Sequence, residues 1–207
     1  MPFDIPSFKA NGLTLGGARP TLFDIRIPIL PSGVDGGNLP QLPFLAQASQ
    51  LPPVVLDRVD VPYFGRKIGL NGDRTFPNWT ITILNDEDFG LRNLFESWSN
   101  IMNTFASNVM DTQSASPTEY KVDQVEVRQY GKTGSDGDGG VIRSYYFYGL
   151  FPLTVDPIPL DWGRNNQVES FDVTFSIDYW IPNVTGANGG YDPGQGVSSG
   201  TAQATGQ

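Results

Sequence analysis

The sequence predicts a mostly β fold, a small β-sandwich or barrel with one α-helix packed against it. Short apolar runs recur along the chain, and its 24 Gly and 17 Pro residues are dispersed between them, which is typical of many strands joined by turns. A single segment carries apolar residues at the helical spacings of three and four. With 207 residues, of which 39% are hydrophobic, the chain is long enough to bury one sizeable core.

Three features are predicted before residue 54. Residues 1–20 are mixed and contain Gly, so we expect an N-terminal arm that orders only against a partner. From 21 to 30 apolar and polar residues alternate, which predicts a half-buried strand with Pro28 at an edge or a bulge. Residues 31–53 form a Pro/Gly-rich insertion, and we expect a loop that is functional or ordered by a partner, because it is too long for a compact core.

A second strand is predicted at 54–64, and the segment 63–76 is predicted to protrude as a hairpin or loop. Its turn is expected at Asn71-Gly72, because Asn-Gly is a strong signal for a tight turn. Asp73 and Arg74 follow directly, and an interaction between them could equally hold this turn.

One amphipathic helix is predicted after a strand at 79–84. Asp86-Glu87-Asp88 places carboxylates at its start, where they favour the positive end of the helix dipole. Trp98 lies on the apolar face, so core packing explains it better than a role in a ligand groove. This face extends over about four turns and consists of Leu91, Leu94, Phe95, Trp98, Ile101, Met102 and Phe105.

Four more strands are predicted in the second half of the chain, at 120–130, 141–151, 153–162 and 167–181. The last of them shows the clearest alternation of apolar and polar residues. The sequence GKTGSDGDGG at 131–140 is expected to be a flexible hairpin tip. We predict one domain over 1–182 and a flexible low-complexity tail over 183–207. Because one helix covers only part of one sheet face, the strand edges are expected to favour self-association.

The absence of Cys and His restricts the possible chemistry. Without Cys there is no disulfide scaffold or thiolate nucleophile, and without His the commonest general base and transition-metal ligand are missing. Zinc, haem and Ser-His-Asp sites are therefore not expected. Asp86-Glu87-Asp88 could supply an acid–base pair for glycoside hydrolysis, but its place at a helix start favours the dipole interaction. We expect no enzyme, and no catalytic, cofactor-binding or metal-binding residues.

The chain is acidic, with 22 Asp and Glu against 13 Lys and Arg and a formal charge of −9. Its basic residues are scattered singly, whereas stable binding to a phosphate backbone needs clustered ones. This composition is compatible with transient passage of nucleic acid past an acidic wall. The N-terminus lacks the regions of a signal peptide, and no run reaches the ~18 apolar residues of a membrane span, so we expect no membrane partner.

Two motifs in the same order resemble the tail tube proteins of contractile-tailed bacteriophages of the T-even type. The first is GRKIGLNGDRTFPNWTITILNDEDFGLRNLFESW at 65–98, and the second is PIPLDWGRNNQVESFDVTFSIDYW at 157–180. EYKVDQVEVRQY and YGLFP, which lie between them, also fit. The resemblance covers roughly residues 18–181. The insertion at 31–53, the tip at 131–140 and the tail depart from the family pattern, which leaves the contacts with a sheath open.

The resemblance implies a structural virion protein without a cofactor. Subunits would form hexameric rings whose sheets join between subunits into a continuous inner barrel, and rings would stack into a tube. The implied partners are further copies of the chain, a sheath protein, baseplate and tail terminator proteins, and a tape-measure protein and transiently DNA in the lumen. The implied location is the virion tail, after assembly in the host bacterial cytoplasm.

In the family an extended loop after the second strand reaches the neighbouring ring, and the resemblance gives this role to 63–76. Arg66, Lys67, Asp73 and Arg74 are implied to supply the polar contacts that fix its register, and Asn71-Gly72 is implied to make its turn. The polar sides of 120–130 and 167–181 are candidates for the lumen wall, where like charges would keep phosphates from binding. Two other functions stay open: the tube of a related contractile injection or secretion apparatus, and a carbohydrate- or receptor-binding virion module.

Overall fold

The computed structural model describes residues 17–110, 116–132 and 140–183, together with Ile5. The strands in them are β1 (Phe23–Arg26), β2 (Ala46–Ser49), β3 (Val55–Tyr63), β4 (Arg66–Thr75), β5 (Trp79–Leu84), β6 (Val125–Tyr130), β7 (Val141–Tyr148), β8 (Phe151–Val155), β9 (Ser170–Ser176) and β10 (Tyr179–Asn183). The helices are α1 (Leu42–Leu45), α2 (Gly90–Met102) and α3 (Pro117–Tyr120), and a 3-10 turn at Leu39–Gln41 precedes α1. Most of the predicted arm, tip and C-terminal tail lies outside the described residues.

Two four-stranded antiparallel sheets form a sandwich. Sheet 1 has the strand order β1-β6-β7-β10, and sheet 2 has the order β2-β5-β9-β8. The remaining strands, β3 and β4, pair only with each other. Successive side chains of a strand point to opposite faces, so each sheet has one face in the core and one outer face. The mostly β fold with one principal helix is therefore confirmed.

The core lies between the two sheets and is closed by α2. Trp79 of β5 stacks on Phe147 of β7 with ring centroids 4.7 Å apart, which joins the two sheets. Phe175 of β9 contacts the rings of Phe95 and Trp98 on α2 at 5.7 and 6.4 Å, and such aromatic pairs contribute beyond the area they bury. Trp98 is fully buried, as predicted. Further inward-facing residues are Ile25, Ile81, Ile83, Val125, Val127, Phe171 and Val173.

Helix α2 confirms the predicted helix with different bounds. It starts at Gly90, so Asp86-Glu87-Asp88 lies in the turn before it and its first helical turn contains no acidic residue. Asp86 holds that turn, because its main-chain oxygen accepts from Phe89 N at 2.9 Å. Phe105 lies beyond the last helical residue and is exposed, so its predicted place on the apolar face is wrong.

The insertion at 31–53 contributes to the sandwich, so the expectation of a loop outside the core is wrong. Leu42 on α1 is completely buried, and β2 pairs with β5 at the edge of sheet 2. Trp79 donates its indole N–H to Gln50 O at 2.9 Å. The apolar residues between the Pro residues hold this segment to the core, but they are too irregularly spaced to show the period of a strand or helix.

The strand predicted at 167–181 is two strands, with β9 in sheet 2 and β10 in sheet 1. At the crossing, Asp178 N donates to Tyr148 O at 3.0 Å, and Lys121 Nζ donates to both carboxylate oxygens of Asp178 at 2.8 Å. In the sequence the apolar residues continue at alternate positions across the break, but the inward face changes, because Ile177 is buried whereas Tyr179 is 43% exposed and Trp180 packs against the core. Alternation alone could therefore not locate it.

The strand predicted at 79–84 is confirmed with its bounds as β5, those at 54–64 and 120–130 are confirmed as the shorter β3 and β6, and the one at 141–151 covers β7 and the first residue of β8. Strand β1 covers only part of 21–30, and β6 begins at Val125, after α3 has ended at Tyr120. The strand predicted at 153–162 overlaps only the end of β8. Pro157 and Pro159 follow β8, and because Pro lacks the N–H that a sheet ladder needs, the chain from 156 to 169 is irregular.

An ionic network lies on the outer face of sheet 1. Arg128 donates from Nε to Asp24 Oδ1 at 2.9 Å and from Nη2 to Oδ2 at 2.5 Å. Tyr130 and Arg26 also donate to Oδ2, at 3.0 and 3.1 Å. Burial raises the pKa of Asp24, but these hydrogen bonds and the charge of Arg128 together outweigh it, so the pKa lies below its usual value. The hydrogen bonds to Asp24 in turn raise the pKa of Arg128.

Replacement of Leu42 tests whether the insertion supports the core. Leu42→Ala is expected to lower the free energy of unfolding by about 2–5 kcal/mol, because it leaves a cavity at a completely buried position. Urea denaturation followed by tryptophan fluorescence, on unassociated subunits, measures this change. Phe44→Ala on the same short helix is the control, since Phe44 is 85% exposed and should cost less than about 0.5 kcal/mol. Equal stability of the two variants would contradict the fold.

Replacement of Asp24 should change stability in a pH-dependent way. The folded-state pKa of Asp24 is lowered, so its stabilisation is complete above the unfolded-state pKa of about 4 and is lost as the pH falls through the folded-state value. Asp24→Asn should cost about 1–2 kcal/mol at pH 7, a modest figure because solvent partly screens the network. Urea denaturation across the pH range should show the difference from the wild type shrinking below pH 4, and a constant difference would exclude this role.

Candidate assembly surface

Strands β3 and β4 form a long hairpin that connects β2 to β5 along the chain, while β2 and β5 remain paired in sheet 2. Tyr63 pairs with Arg66, so the turn consists of Phe64 and Gly65. Their φ angles are 43° and 75°, both positive as a two-residue type I′ turn requires. The predicted hairpin is confirmed with different bounds, whereas the prediction of its turn at Asn71-Gly72 is wrong.

Asn71-Gly72 lies inside β4, where one extra residue forms a β-bulge. The register of the hairpin shifts opposite Asp57. A Cβ at Gly72 would lie 2.8 Å from Asp57 O, so Gly allows the two backbones to approach closely at this point. The Asn-Gly pair thus belongs to a bulge, which bends a strand and increases its twist.

One face of the hairpin, the apolar hairpin face, lacks a cover in the subunit. It consists of Val59, Val61, Ile68 and Leu70, with Tyr63 and Phe64 at the tip. Val59 pairs with Leu70 and Val61 with Ile68, and their side chains are 51%, 53%, 40% and 49% exposed in that order. An isolated two-stranded hairpin is only marginally stable in water, and a contiguous exposed apolar patch marks a site of interaction.

The opposite face of the hairpin is polar, and its charges are paired with each other. Arg58 Nε donates to Asp60 Oδ1 at 2.8 Å, and Lys67 Nζ lies 3.9 Å from the other carboxylate oxygen of Asp60. Arg58 lies across Gly69, where a Cβ would overlap its guanidinium group. The two faces therefore differ: the polar face suits contact with water, and the apolar face suits contact with another protein surface.

The residues predicted to fix the register between rings are brought together on one strand. Arg66 and Lys67 lie beside the turn, and Arg74 lies beyond the bulge, near the base of the hairpin. Asp73 and Arg74 form no ion pair with each other or with another residue that the structure describes. Because the turn is elsewhere, the alternative that this pair holds a turn at Asn71-Gly72 is wrong.

The apolar hairpin face was missed by the sequence-based reasoning. Its signal was present, because apolar residues alternate at 59–63 and again at 68–70. The Asn-Gly signal placed the turn too late, inside β4, so the run at 68–70 was assigned to a loop and not to a strand that pairs with 59–63.

A second exposed apolar surface lies in the irregular segment 156–169. Trp162 is fully exposed beside a cavity of about 350 Å³, and the cavity is lined by this segment together with Ser170. Within the described ranges, no group of three Asp, Glu, His or Cys residues could hold a metal ion. No helix among those residues is long and apolar enough to cross a membrane. Exposed large apolar residues are more numerous on the hairpin than in the segment 156–169.

Comparison with known sequences gives close relatives among tail proteins. The family model described as phage tail tube protein matches residues 18–183. The tail tube protein gp19 of Enterobacteria phage T4 is 35% identical over 163 residues, which are 79% of this chain and 90% of the relative. The tail tube protein gp19 of Enterobacteria phage T6 is 36% identical, with the same two coverages.

Two solved structures share the fold at low identity. The tube-terminating cap of the anti-feeding prophage has a TM-score of 0.56 and 14% identity, over 82% of this chain and 92% of that one. The sheath/tube terminator of the extracellular contractile injection system PVC also has a TM-score of 0.56 and 14% identity, over 81% and 97%. Since the family model covers most of the sequence and the T4 and T6 relatives exceed 30% identity, this chain belongs to the phage tail tube protein family.

Proposed function

We propose that the chain builds the inner tube of a contractile tail as stacked hexameric rings, with the β3–β4 hairpin of one subunit packed against a copy in the neighbouring ring. The observation that carries this proposal is the apolar hairpin face, which the described part of its own subunit leaves uncovered. A second copy of the chain is the simplest partner for such a surface, because a tube consists of many copies. This extends the family's tube function to a specific mode of assembly.

The free energy available from the apolar hairpin face is appropriate for reversible association. Burying a Val, Leu or Ile side chain completely contributes about 1.5–3 kcal/mol. The four side chains on the strands are about half exposed, so covering them contributes roughly 3–6 kcal/mol per subunit. One such contact is weak, but a ring repeats it at every subunit, and linked contacts strengthen one another.

The charged residues of β4 supply specificity. Arg66 and Lys67 lie together beside the turn and Arg74 lies near the base of the hairpin, in a chain whose formal charge is −9, so the hairpin is attracted to the acidic surface of another copy. Such complementarity fixes orientation more than it adds affinity. Asn71, Gly72 and Asp73 form the bulge that sets the twist of the strand and hence the direction of the tip.

The remaining partners follow from the place of a tube in a tail. We infer that a sheath protein surrounds the tube, that baseplate and terminator proteins contact its ends, and that a tape-measure protein and then DNA occupy its lumen. The solved structures with the same fold come from a tube-terminating cap and a sheath/tube terminator, which supports end contacts of this type. The role is structural and not enzymatic, in the virion tail, after assembly in the host bacterial cytoplasm.

The tube of a contractile injection apparatus is the second candidate, because both solved structures with a TM-score of 0.56 belong to such systems. Sequence identity favours the phage tail, at 35% and 36% against 14%. The two functions differ in the cargo and share the assembly. A carbohydrate- or receptor-binding module would instead stay monomeric or trimeric and would use exposed aromatic residues such as Trp162.

Electron microscopy of the purified protein tests the proposed assembly. Rings or hollow tubes with six-fold symmetry are expected without any cofactor. A protein that stays monomeric at high concentration, or forms trimers with affinity for glycans, would contradict the proposal.

The basic residues of the hairpin should matter for stacking more than for folding. Replacing Arg66, Lys67 and Arg74 together with Ser is expected to leave the melting temperature nearly unchanged, because exposed charges contribute only about 0–1 kcal/mol each to a fold. The number and length of tubes should fall sharply, with single rings remaining. Thermal melting and electron microscopy measure the two effects. Arg19→Ser, at an exposed basic residue outside the hairpin, is the control, and normal tubes from the triple variant would remove these residues from the interface.

The apolar hairpin face should be required for association. Val61→Ser combined with Ile68→Ser removes one cross-strand pair, so sedimentation should show soluble, folded subunits that associate weakly. Phe105→Ser combined with Val109→Ser is the matched control, because it removes two exposed apolar side chains outside the hairpin. We expect this control to form tubes. If both double variants assemble like the wild type, the hairpin does not carry the contact.

A further inference from the structure

The cavity beside Trp162 is an apolar surface that the described part of its own subunit leaves open. Its apolar lining includes Ile158, Leu160, Trp162 and Val168. Ile158 packs against the core, whereas the other three side chains are largely exposed. We name this surface the Trp162 cavity. Large apolar side chains exposed around one concave surface mark a site of interaction, as they do on the hairpin.

The Trp162 cavity and the hairpin lie at opposite ends of sheet 2. The chain passes from the hairpin into β5, which begins at Trp79, opposite Phe175 near the end of β9. The last residue of β5, Leu84, pairs with Ser170, the first residue of β9, and Ser170 lines the cavity. The base of the hairpin and the cavity are therefore separated by the length of β5, about 20 Å at the rise of a strand. A subunit with complementary surfaces at opposite ends can stack head to tail.

We propose that the Trp162 cavity receives the hairpin tip, Tyr63 and Phe64, of a second copy of this chain in the neighbouring ring. This deepens the proposed function and rests on it, because it names the surface that the hairpin contacts. Strands β3 and β4 are 9 and 10 residues long and pair only with each other. The tip can thus lie about 30 Å from the base of the hairpin, which lets it reach beyond its own sandwich.

The conformation of the hairpin tip favours a contact outside the subunit. Phe64 has a φ angle of 43°, in the left-handed region that Asn or Gly adopts more easily in a type I′ turn. Its ring is 90% exposed and packs edge-on against the ring of Tyr63, with centroids 4.6 Å apart. A large aromatic side chain at this position does not serve the turn. It is suited to insertion into an apolar cavity of another copy, where buried aromatic residues carry much of the binding energy of an interface.

The charges of the two surfaces are complementary. Residues 58–69 of the hairpin include three basic residues and one acidic residue, whereas 156–169 include three acidic residues and one basic residue. Asp86-Glu87-Asp88 adds three carboxylates at the same end of the sheet, since it follows β5. Arg92, on the nearby helix α2, is paired with Glu96. A basic tip and an acidic end attract each other, and two like ends repel, so the charges favour head-to-tail stacking.

Cysteine cross-linking tests the contact. The chain contains no Cys, so Phe64→Cys combined with Trp162→Cys introduces two thiols. When tubes of this variant are treated with a short bismaleimide, denaturing electrophoresis is expected to show chains joined in long series, because every copy contributes one tip and one cavity. Phe64→Cys combined with Phe105→Cys is the matched control, since Phe105 is exposed and lies outside both surfaces, and it should give no series. Tyr63→Cys combined with Leu160→Cys is a second pair if the first does not assemble.

The cross-linking outcomes separate this inference from the proposed function. Tubes in which neither pair gives a series would overturn the inference while the tubes remain. A series that forms equally in isolated rings would place the contact between subunits of one ring and would overturn it as well. Absence of tubes from the wild-type protein would instead overturn the proposed function.

Removal of the Trp162 side chain tests its contribution to stacking. Trp162→Ala is expected to raise the protein concentration needed for tubes at least about ten-fold, as loss of an aromatic anchor does at other interfaces. Trp162→Phe should restore most of the assembly. Phe105→Ala is the matched control, because it removes another exposed aromatic side chain, and sedimentation over a series of concentrations measures tube formation.

Two results of this experiment would overturn the inference. Equal tube formation by the two Ala variants would show that stacking does not use the Trp162 cavity. Glycan binding that is lost in Trp162→Ala while stacking is unchanged would give the cavity to a carbohydrate ligand and not to a second copy of the chain.

Discussion

The packing of both sheets and helix α2 depends on the aromatic contacts around Phe175. Phe175 lies against Trp79, Phe95 and Trp98, and Trp79 in turn stacks on Phe147 of the opposite sheet. One cluster therefore joins sheet 1, sheet 2 and helix α2, and interiors packed in this way transmit displacement to all their neighbours. The Trp79 indole also donates to Gln50 O, so the same cluster fixes the chain just before the hairpin begins.

Because this core is complete within one subunit, the hairpin is not needed to close it. Strands β3 and β4 pair only with each other, and their residues remain exposed along both strands. A surface so separated can be optimised for association without loss of packing elsewhere. Arg58 and Lys67 on its polar face are already paired with Asp60 within the subunit, whereas the apolar hairpin face stays exposed.

Much of the sandwich was predictable because its signals are local. The alternation in β5 and β9 and the apolar spacing in α2 each indicate one element, and each element is present. Other features depend on distant contacts: Leu42 is buried because α1 packs against β1 and β5, and the break between β9 and β10 is fixed by Lys121 and Tyr148. Asn71-Gly72 has the sequence of a tight turn but does not form one. The positive φ angles of the turn occur at Phe64 and Gly65, and Gly72 instead allows the backbone of Asp57 to approach closely. The fold class and the presence of a hairpin before β5 could thus be predicted from the sequence. The register of the hairpin and its apolar face needed the structure.

The separation of the three surfaces explains how a small subunit can form a polymer with an open channel. In the proposed assembly the apolar hairpin face packs on a different surface of the next copy, and such a heterologous contact propagates into rings or filaments. The exposed apolar surface lies on a hairpin beyond the sheet, the ionic network of Asp24 and Arg128 lies on sheet 1, and the paired threonines lie on sheet 2. The strands of sheet 2 contain no basic residue, whereas the hairpin contains several. A contact made through the hairpin therefore leaves the outer faces of both sheets uncovered.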